Sequence, residues 1–310
     1  MNHTLRGEHS MEEKRFGYKK PKFRMGNALR DYFNGNMWEH TEPAYRIAPH
    51  AWNVGGQDDV SVYLLDTGEG LILIDSGYER TLYLVIDRIY SIGFNPRDVK
   101  KILLTHYHGD HSQGARLLQE LAGGPEKCEI WLSREDEKMH QETKFNDFPM
   151  PCLPYEVTNF YDDNTPIQMG RFTIKTRLCP GHTQGCTSFF FEDTDEETGK
   201  TYLCAVHGGM GTAMMYPGSD TMKREHNTEE TAFRFINDCI EMSKLPVDIN
   251  MSSHLNQTNI DEHMPEDLND YTWFVTDYSW HDMMINRAED VMKHYPEKYP
   301  DFKPTVPNVE

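Results

Sequence analysis

Thr105-His106-Tyr107-His108-Gly109-Asp110-His111 places four side chains able to bind a metal ion within six residues. The run follows an apolar stretch, 101–105, that reads as a buried strand. A strand end is rigid, and the loop beyond it can aim several side chains at one point. Histidine and carboxylate are suitable ligands for zinc and its transition-metal neighbours. One histidine at a strand end is ordinarily a satisfied polar residue. Three with an aspartate in one tight loop are not explained that way, because such groups rarely gather without a counter-ion.

Outward from this loop the chain alternates strands and helices. Residues 60–65 and 71–74 are short apolar runs separated by Asp66-Thr67-Gly68-Glu69-Gly70, the pattern of a β-hairpin. Leu82, Val85, Ile86 and Ile89 recur at helical spacing over 79–91, and Gly93 and Pro96 end that helix. A helix over 115–121 stops at Gly123-Gly124, and a strand follows over 130–132. Ser133 then caps a charged helix with Asp136 at the capping-box position. In the second half, strands are expected at 172–178, 187–191, 202–206 and 247–251, with helices over 228–242 and from Trp280 to Tyr295. Two halves of strands followed by helices imply an α/β fold, two mixed β-sheets packed face to face with helices outside: an αββα four-layer sandwich.

Three further stretches stand with the histidine loop. They are Leu73-Ile74-Asp75-Ser76-Gly77, Pro180-Gly181-His182-Thr183-Gln184-Gly185-Cys186-Thr187-Ser188, and Ser253-His254. In order and spacing, from Val54 to about Leu255, this set resembles the metallo-β-lactamase superfamily. Within it the likeness is nearest to the third subclass of metallo-β-lactamases, on Asp110-His111, on the GHTQGCTS run around His182, and on Ile92-Gly93-Phe94 and Asp98-Val99-Lys100 ahead of the loop.

The resemblance implies that His106, His108 and His182 hold one metal ion, and that Asp110, His111 and His254 hold a second. Asp75 would support the centre from behind. Two divalent ions, expected to be zinc, would lie about 3.5–4 Å apart and share a hydroxide with its pKa lowered toward about 7. That hydroxide would attack the carbonyl of a β-lactam or another cyclic amide or ester, with Asp110 orienting it or relaying a proton. The alternatives are a lactonase, a thioester hydrolase resembling glyoxalase II, and a non-hydrolytic di-iron redox protein on the same fold. The chain departs from the pattern after the strand at 202–206, where many relatives carry a bridging aspartate and this one has His207-Gly208-Gly209. His207 is either an additional ligand, a substrate contact or a polar residue at a strand end.

Composition narrows the rest. With 50 acidic and 31 basic residues the formal net charge is -19, a field that repels nucleic acid and anionic membranes and leaves a small molecule as the expected partner. Mean hydropathy is -0.72 while aromatics reach 12%, the mark of a folded chain with a very polar surface. Six cysteines without a CxxC pair fit neither a disulfide scaffold nor a structural zinc site. No apolar run reaches spanning length and no signal peptide is evident, so a cytoplasmic location is expected. Residues 1–46 read as an extension wrapping a domain at 47–310, with Trp38 and Tyr45 as anchors, and the oligomeric state is open. The proline-rich stretch 145–166, with Phe145, Phe148, Met150, Leu153 and Tyr155, is either an apolar lid beside the metals or a loop packed on its own core. The run Met210, Met214, Met215 and Tyr216 is likewise either pocket wall or gap-filling.

Overall fold

The computed structural model describes residues 32, 35, 37–147, 150–258, 260 and 264–303. One sheet contains β1 (Tyr45–Ala48), β2 (Ala51–Asn53), β3 (Tyr63–Asp66), β4 (Leu71–Ile74), β5 (Val99–Leu103), β6 (Glu129–Leu132) and, after the small hairpin β7 (Asn146–Asp147) and β8 (Met150–Pro151), β9 (Asn159–Phe160). The other contains β10 (Ile167–Met169), β11 (Phe172–Leu178), β12 (Thr187–Thr194), β13 (Thr201–Val206) and β14 (Ile249–Asn250). Helices α1 (Leu82–Ser91), α2 (Gly109–Ser112), α3 (Ala115–Leu121), α4 (Arg134–Thr143), α5 (Asp220–Arg224), α6 (Glu229–Met242) and α7 (Ser279–Met292) complete the chain.

The apolar pattern explains the layering. Ile72 and Ile74 of β4 and Leu103 of β5 face Ile174, Phe189, Phe191, Cys204 and Val206 of the second sheet. Their neighbours Leu71, Leu73 and Ile102 turn the other way, onto Leu82, Val85 and Ile89 of α1 and Leu118 of α3. A strand covered on both faces needs an unbroken apolar run, which is why 71–74 reads Leu-Ile-Leu-Ile. Burying each such side chain stabilises the fold by about 1.5–3 kcal/mol. On the outer face of the second sheet, Phe235, Ile236 and Cys239 of α6 pack with Trp280, Met284 and Val291 of α7. Helix, sheet, sheet, helix is the observed order, and the expected sandwich is the fold.

Strand pairing places the functional loops. The expected hairpin forms, with β3 antiparallel to β4 and Leu64 opposite Leu73. Strands β4 and β5 then run parallel, so Asp75 and the histidine loop leave the same edge of the sheet. In the second sheet β13 is parallel to β14, and the loops after β11 and β14 open at that same end.

Some elements differ from expectation. The strand at 247–251 shortens to Ile249–Asn250, and helix 79–91 starts with a 3-10 turn at Glu79–Thr81. The stretch 145–166 is not wholly irregular, since it contains β7, β8 and β9. Phe145 and Tyr155 pack on the first sheet's outer core and Met150 joins Tyr32, Met37, Val60 and Tyr78, while Leu153 is exposed and Phe148 lies outside the described residues. Tyr45 is buried in β1 and stacks on Phe274 with centroids 5.4 Å apart; the side chain of Trp38 lies outside the described residues. Ser133 does cap α4, accepting from the Asp136 N–H, but the Asp136 carboxylate does not return to the cap. All six cysteines are buried and free of disulfides. No described helix is long and apolar enough to cross a membrane.

Candidate metal centre

The loop leaving β5 delivers His106 and His108, and the loop between β11 and β12 delivers His182. These three form a group whose ligand atoms all lie within 4.8 Å of one another. His108 Nδ1 and His182 Nε2 approach to 2.9 Å. His106, Asp110 and His111 form a second group by the same measure. His254, arriving from beyond β14, sets its Nε2 at 3.1 Å from His111 Nε2 and 3.5 Å from Asp110 Oδ2, while His111 Nε2 lies 3.4 Å from that same oxygen. All six residues proposed from the sequence as ligands therefore meet at one end of the sandwich. The rings of His106 and His111, 4.2 Å apart by their centroids, join the two trios.

What lies behind each ring fixes which nitrogen faces inward. His111 Nδ1 donates to Asp75 Oδ2 at 2.8 Å, and His254 Nδ1 donates to Asp59 Oδ1 at 3.0 Å. His182 Nδ1 donates to the Gly211 carbonyl at 3.0 Å. The Thr105 hydroxyl donates to Asp75 and so receives the His106 Nδ1 proton at 2.9 Å. His108 turns the other way: its Nε2 faces Glu225 Oε1 at 3.3 Å, which leaves Nδ1 pointing in. Every imidazole thus presents a bare lone pair to the centre. Two such nitrogens at 2.9 or 3.1 Å repel each other unless a cation lies between them. His106 Nε2 is in addition buried without a hydrogen-bond partner. Five imidazoles and one carboxylate converging in this way fit divalent transition metals.

For His106 and His182 electrostatics agree with that reading. Burial holds His106 well below the usual imidazole range, reinforced by His111 and His108. Burial and His108 push His182 down to about 3. Asp110 is raised by burial but lowered more by His111 and His254, so it stays ionised. His254 is lowered by burial and lifted above its ordinary value by Asp59.

The supporting residues were only partly foreseen. Asp75 lies behind His111, accepting from its Nδ1 and also from the Thr105 N–H at 2.8 Å, on a left-handed backbone with φ of 63°. Asp59, Glu225 and Thr105 were missed. Asp59 carried a faint signal, in the polar run Gln57-Asp58-Asp59 directly ahead of a strand, and Tyr78 donates to its other oxygen at 2.6 Å. Glu225 carried none in so acidic a chain.

His207 lies outside both groups. It is buried beside Phe235, with Nδ1 accepting the Gly209 N–H at 3.1 Å, and burial pushes it down to about 3. Of the methionine run, Met210 and Met215 are buried in the outer core of the second sheet. The segment around Met150 touches the centre from the other side, because a Cβ on Gly109 would meet the Met150 carbonyl oxygen at 2.5 Å.

Known proteins share this architecture. The family model described as the metallo-beta-lactamase superfamily matches residues 55–195. By sequence the chain is 29% identical over 137 residues to the human mitochondrial persulfide dioxygenase ETHE1, covering 44% of either protein. It is 31% identical over 111 residues to the N-acyl homoserine lactonase AttM of Agrobacterium fabrum (strain C58 / ATCC 33970), covering 34% of this chain and 40% of the lactonase. The chain thus spans under half the length of these curated relatives. Among solved structures it superposes on the native FEZ-1 metallo-β-lactamase of Legionella gormanii with a TM-score of 0.70 at 23% identity, covering 84% of this chain and 98% of that one. The di-zinc class B3 enzyme LRA-12 from an Alaskan soil metagenome gives a TM-score of 0.72 at 21% identity, covering 89% and 99%. The stretch matched by the family model contains the His-x-His-x-Asp-His loop, and the fold of this chain is that of the metallo-β-lactamase superfamily.

Proposed function

We propose that the protein is a dinuclear metal-dependent hydrolase of a small cyclic carbonyl compound, a β-lactam, a lactone or a related cyclic amide or ester. The observation that carries this reading is the second trio, in which Asp110 Oδ2, His111 Nε2 and His254 Nε2 lie 3.1–3.5 Å from one another beside the first. His106, His108 and His182 would hold one ion, and Asp110, His111 and His254 the other. Two zinc ions there would supply Lewis acidity and a water acidic enough to ionise near neutral pH.

The chain's own groups do the remaining work. Asp59 and Asp75 keep His254 and His111 in the tautomer that faces inward. Asp110, held ionised, is the group placed to orient a water and accept its proton as the carbonyl is attacked. The loop carrying Gly211 braces His182 and keeps its Nε2 turned inward.

A second reading draws support from the persulfide dioxygenase among the relatives: oxygen chemistry on a persulfide. Turnover separates the two. Zinc-loaded protein should open a chromogenic cephalosporin or an acyl homoserine lactone, and a chelator should abolish it. Failure on both, with oxygen consumed by iron-loaded protein given a persulfide, would overturn the hydrolase reading.

A further inference from the structure

The two trios are not supported alike. Behind the second stand two carboxylates, Asp75 on His111 and Asp59 on His254, and Asp110 belongs to the trio itself. The first consists of three imidazoles. His106 is braced by a hydroxyl and His182 by a carbonyl oxygen, both uncharged. Glu225, on His108, places an anion behind that trio.

Glu225 is built for the task. Its side chain is fully buried, 0% exposed, at the C-terminal cap of α5. Oε1 lies 3.3 Å from His108 Nε2 and accepts from Arg224 Nε at 2.8 Å, while Oε2 accepts the Tyr107 hydroxyl at 2.8 Å. Two residues on, Asn227 donates to the Gly181 carbonyl and accepts from Gln184 Nε2 at 2.7 Å. One short segment, 225–227, therefore grips the His108 ring and the loop that carries His182.

We infer that Glu225 is a positioning residue that turns His108 Nδ1 inward and supplies the countercharge for a metal ion held by His106, His108 and His182. The inference rests on the reading of the cluster as a metal centre. Removing an outer partner of a ligating histidine weakens metal binding by about 10–100-fold. Only the ion in the first trio should feel the loss, because the second keeps its own carboxylates.

The test is zinc titration of the full chain against a chromophoric chelator, with cobalt substitution to follow each site by its absorption spectrum. Wild-type protein should bind two equivalents. Glu225→Gln, which keeps a hydrogen-bonding group but no charge, should weaken one equivalent by about 10-fold and leave the other unchanged, and Glu225→Ala should weaken that same equivalent further, toward 100-fold. Thermal melts of the metal-free proteins report folding, so Glu225→Gln carries the test even if Glu225→Ala fails to fold. Two unchanged equivalents in Glu225→Gln, or equal weakening of both, would overturn the inference while leaving the hydrolase reading intact. No zinc bound by wild-type protein would remove both.

Discussion

The carboxylate of Asp136 accepts the backbone N–H of Gly185 at 2.8 Å. Its other oxygen takes the Tyr107 N–H at 3.0 Å and the Thr183 hydroxyl at 2.8 Å. One buried aspartate on α4 thereby ties the His106–His108 loop to the His182 loop, across the junction of the two sheets. Each donor left unpaired by Asp136→Ala costs about 1–3 kcal/mol. Gly185→Ala should break the same tie sterically, since its Cβ would meet Ser133 Oγ at 2.0 Å and Asp136 Cγ at 2.5 Å. Both variants should melt well below wild type and bind zinc poorly; a wild-type melting curve for either would refute the clasp.

His108→Ala should lose nearly all activity and at least one equivalent of metal, because it removes a proposed ligand whose Nδ1 stands 2.9 Å from His182 Nε2. Metal analysis of the purified variant decides the point, and full activity with unchanged metal content would end the assignment.

Gly109→Ala should displace the histidine loop. The added methyl would press on the Met150 carbonyl oxygen at 2.5 Å, a backbone atom that cannot rotate away. Overpacking of this kind costs about 1–3 kcal/mol. A fall in melting temperature together with weaker zinc binding is the expected pair of results, and neither should appear in the exposed Leu153→Ala control.

Acid should destabilise the metal-free protein through its buried neutral histidines, two of which, His140 and His207, lie outside the metal centre. Burial pushes His140 down to about 4 and His207 to about 3. Their ordinary value is about 6.5, so between these limits the unfolded chain binds more protons than the folded one. Stability from each is complete above about pH 6.5 and is lost as the pH falls toward its folded value, at up to about 1.4 kcal/mol per pH unit. His207→Asn offers the Gly209 N–H an acceptor of similar reach without the titration. Urea unfolding of chelator-treated protein at pH 7 and pH 5 should show a smaller loss for this variant, and an equal loss would refute the account.

His207→Ala should keep both equivalents of metal in the zinc-loaded protein and alter substrate preference at most. Loss of an equivalent by metal analysis would make His207 a ligand after all.

The fold was legible because its strands are buried on both faces, leaving unbroken apolar runs such as 71–74, and because helix stops fall at glycine and proline. The six converging residues were legible because His106, His108, Asp110 and His111 lie in one loop, and the spacing to His182 and His254 resembled a known pattern. The supporting residues were not, for a physical reason. Asp59 is 195 positions from His254 and Glu225 is 117 from His108, so only the folded chain shows whom they serve. Asp136 was misread in the same way. Its place three residues after Ser133 suggested a local cap, whereas its carboxylate is taken up by Tyr107, Thr183 and Gly185.

The three loops that meet at the centre leave the chain near positions 106, 182 and 254, in the order in which a ribosome delivers them. During synthesis the first sheet and its loop emerge with two histidines of the first trio in place and the third still to come. Only after His254 clears the exit tunnel are all six groups available to one another. Convergence of the six side chains therefore has to wait for His254, however early the first loop has formed.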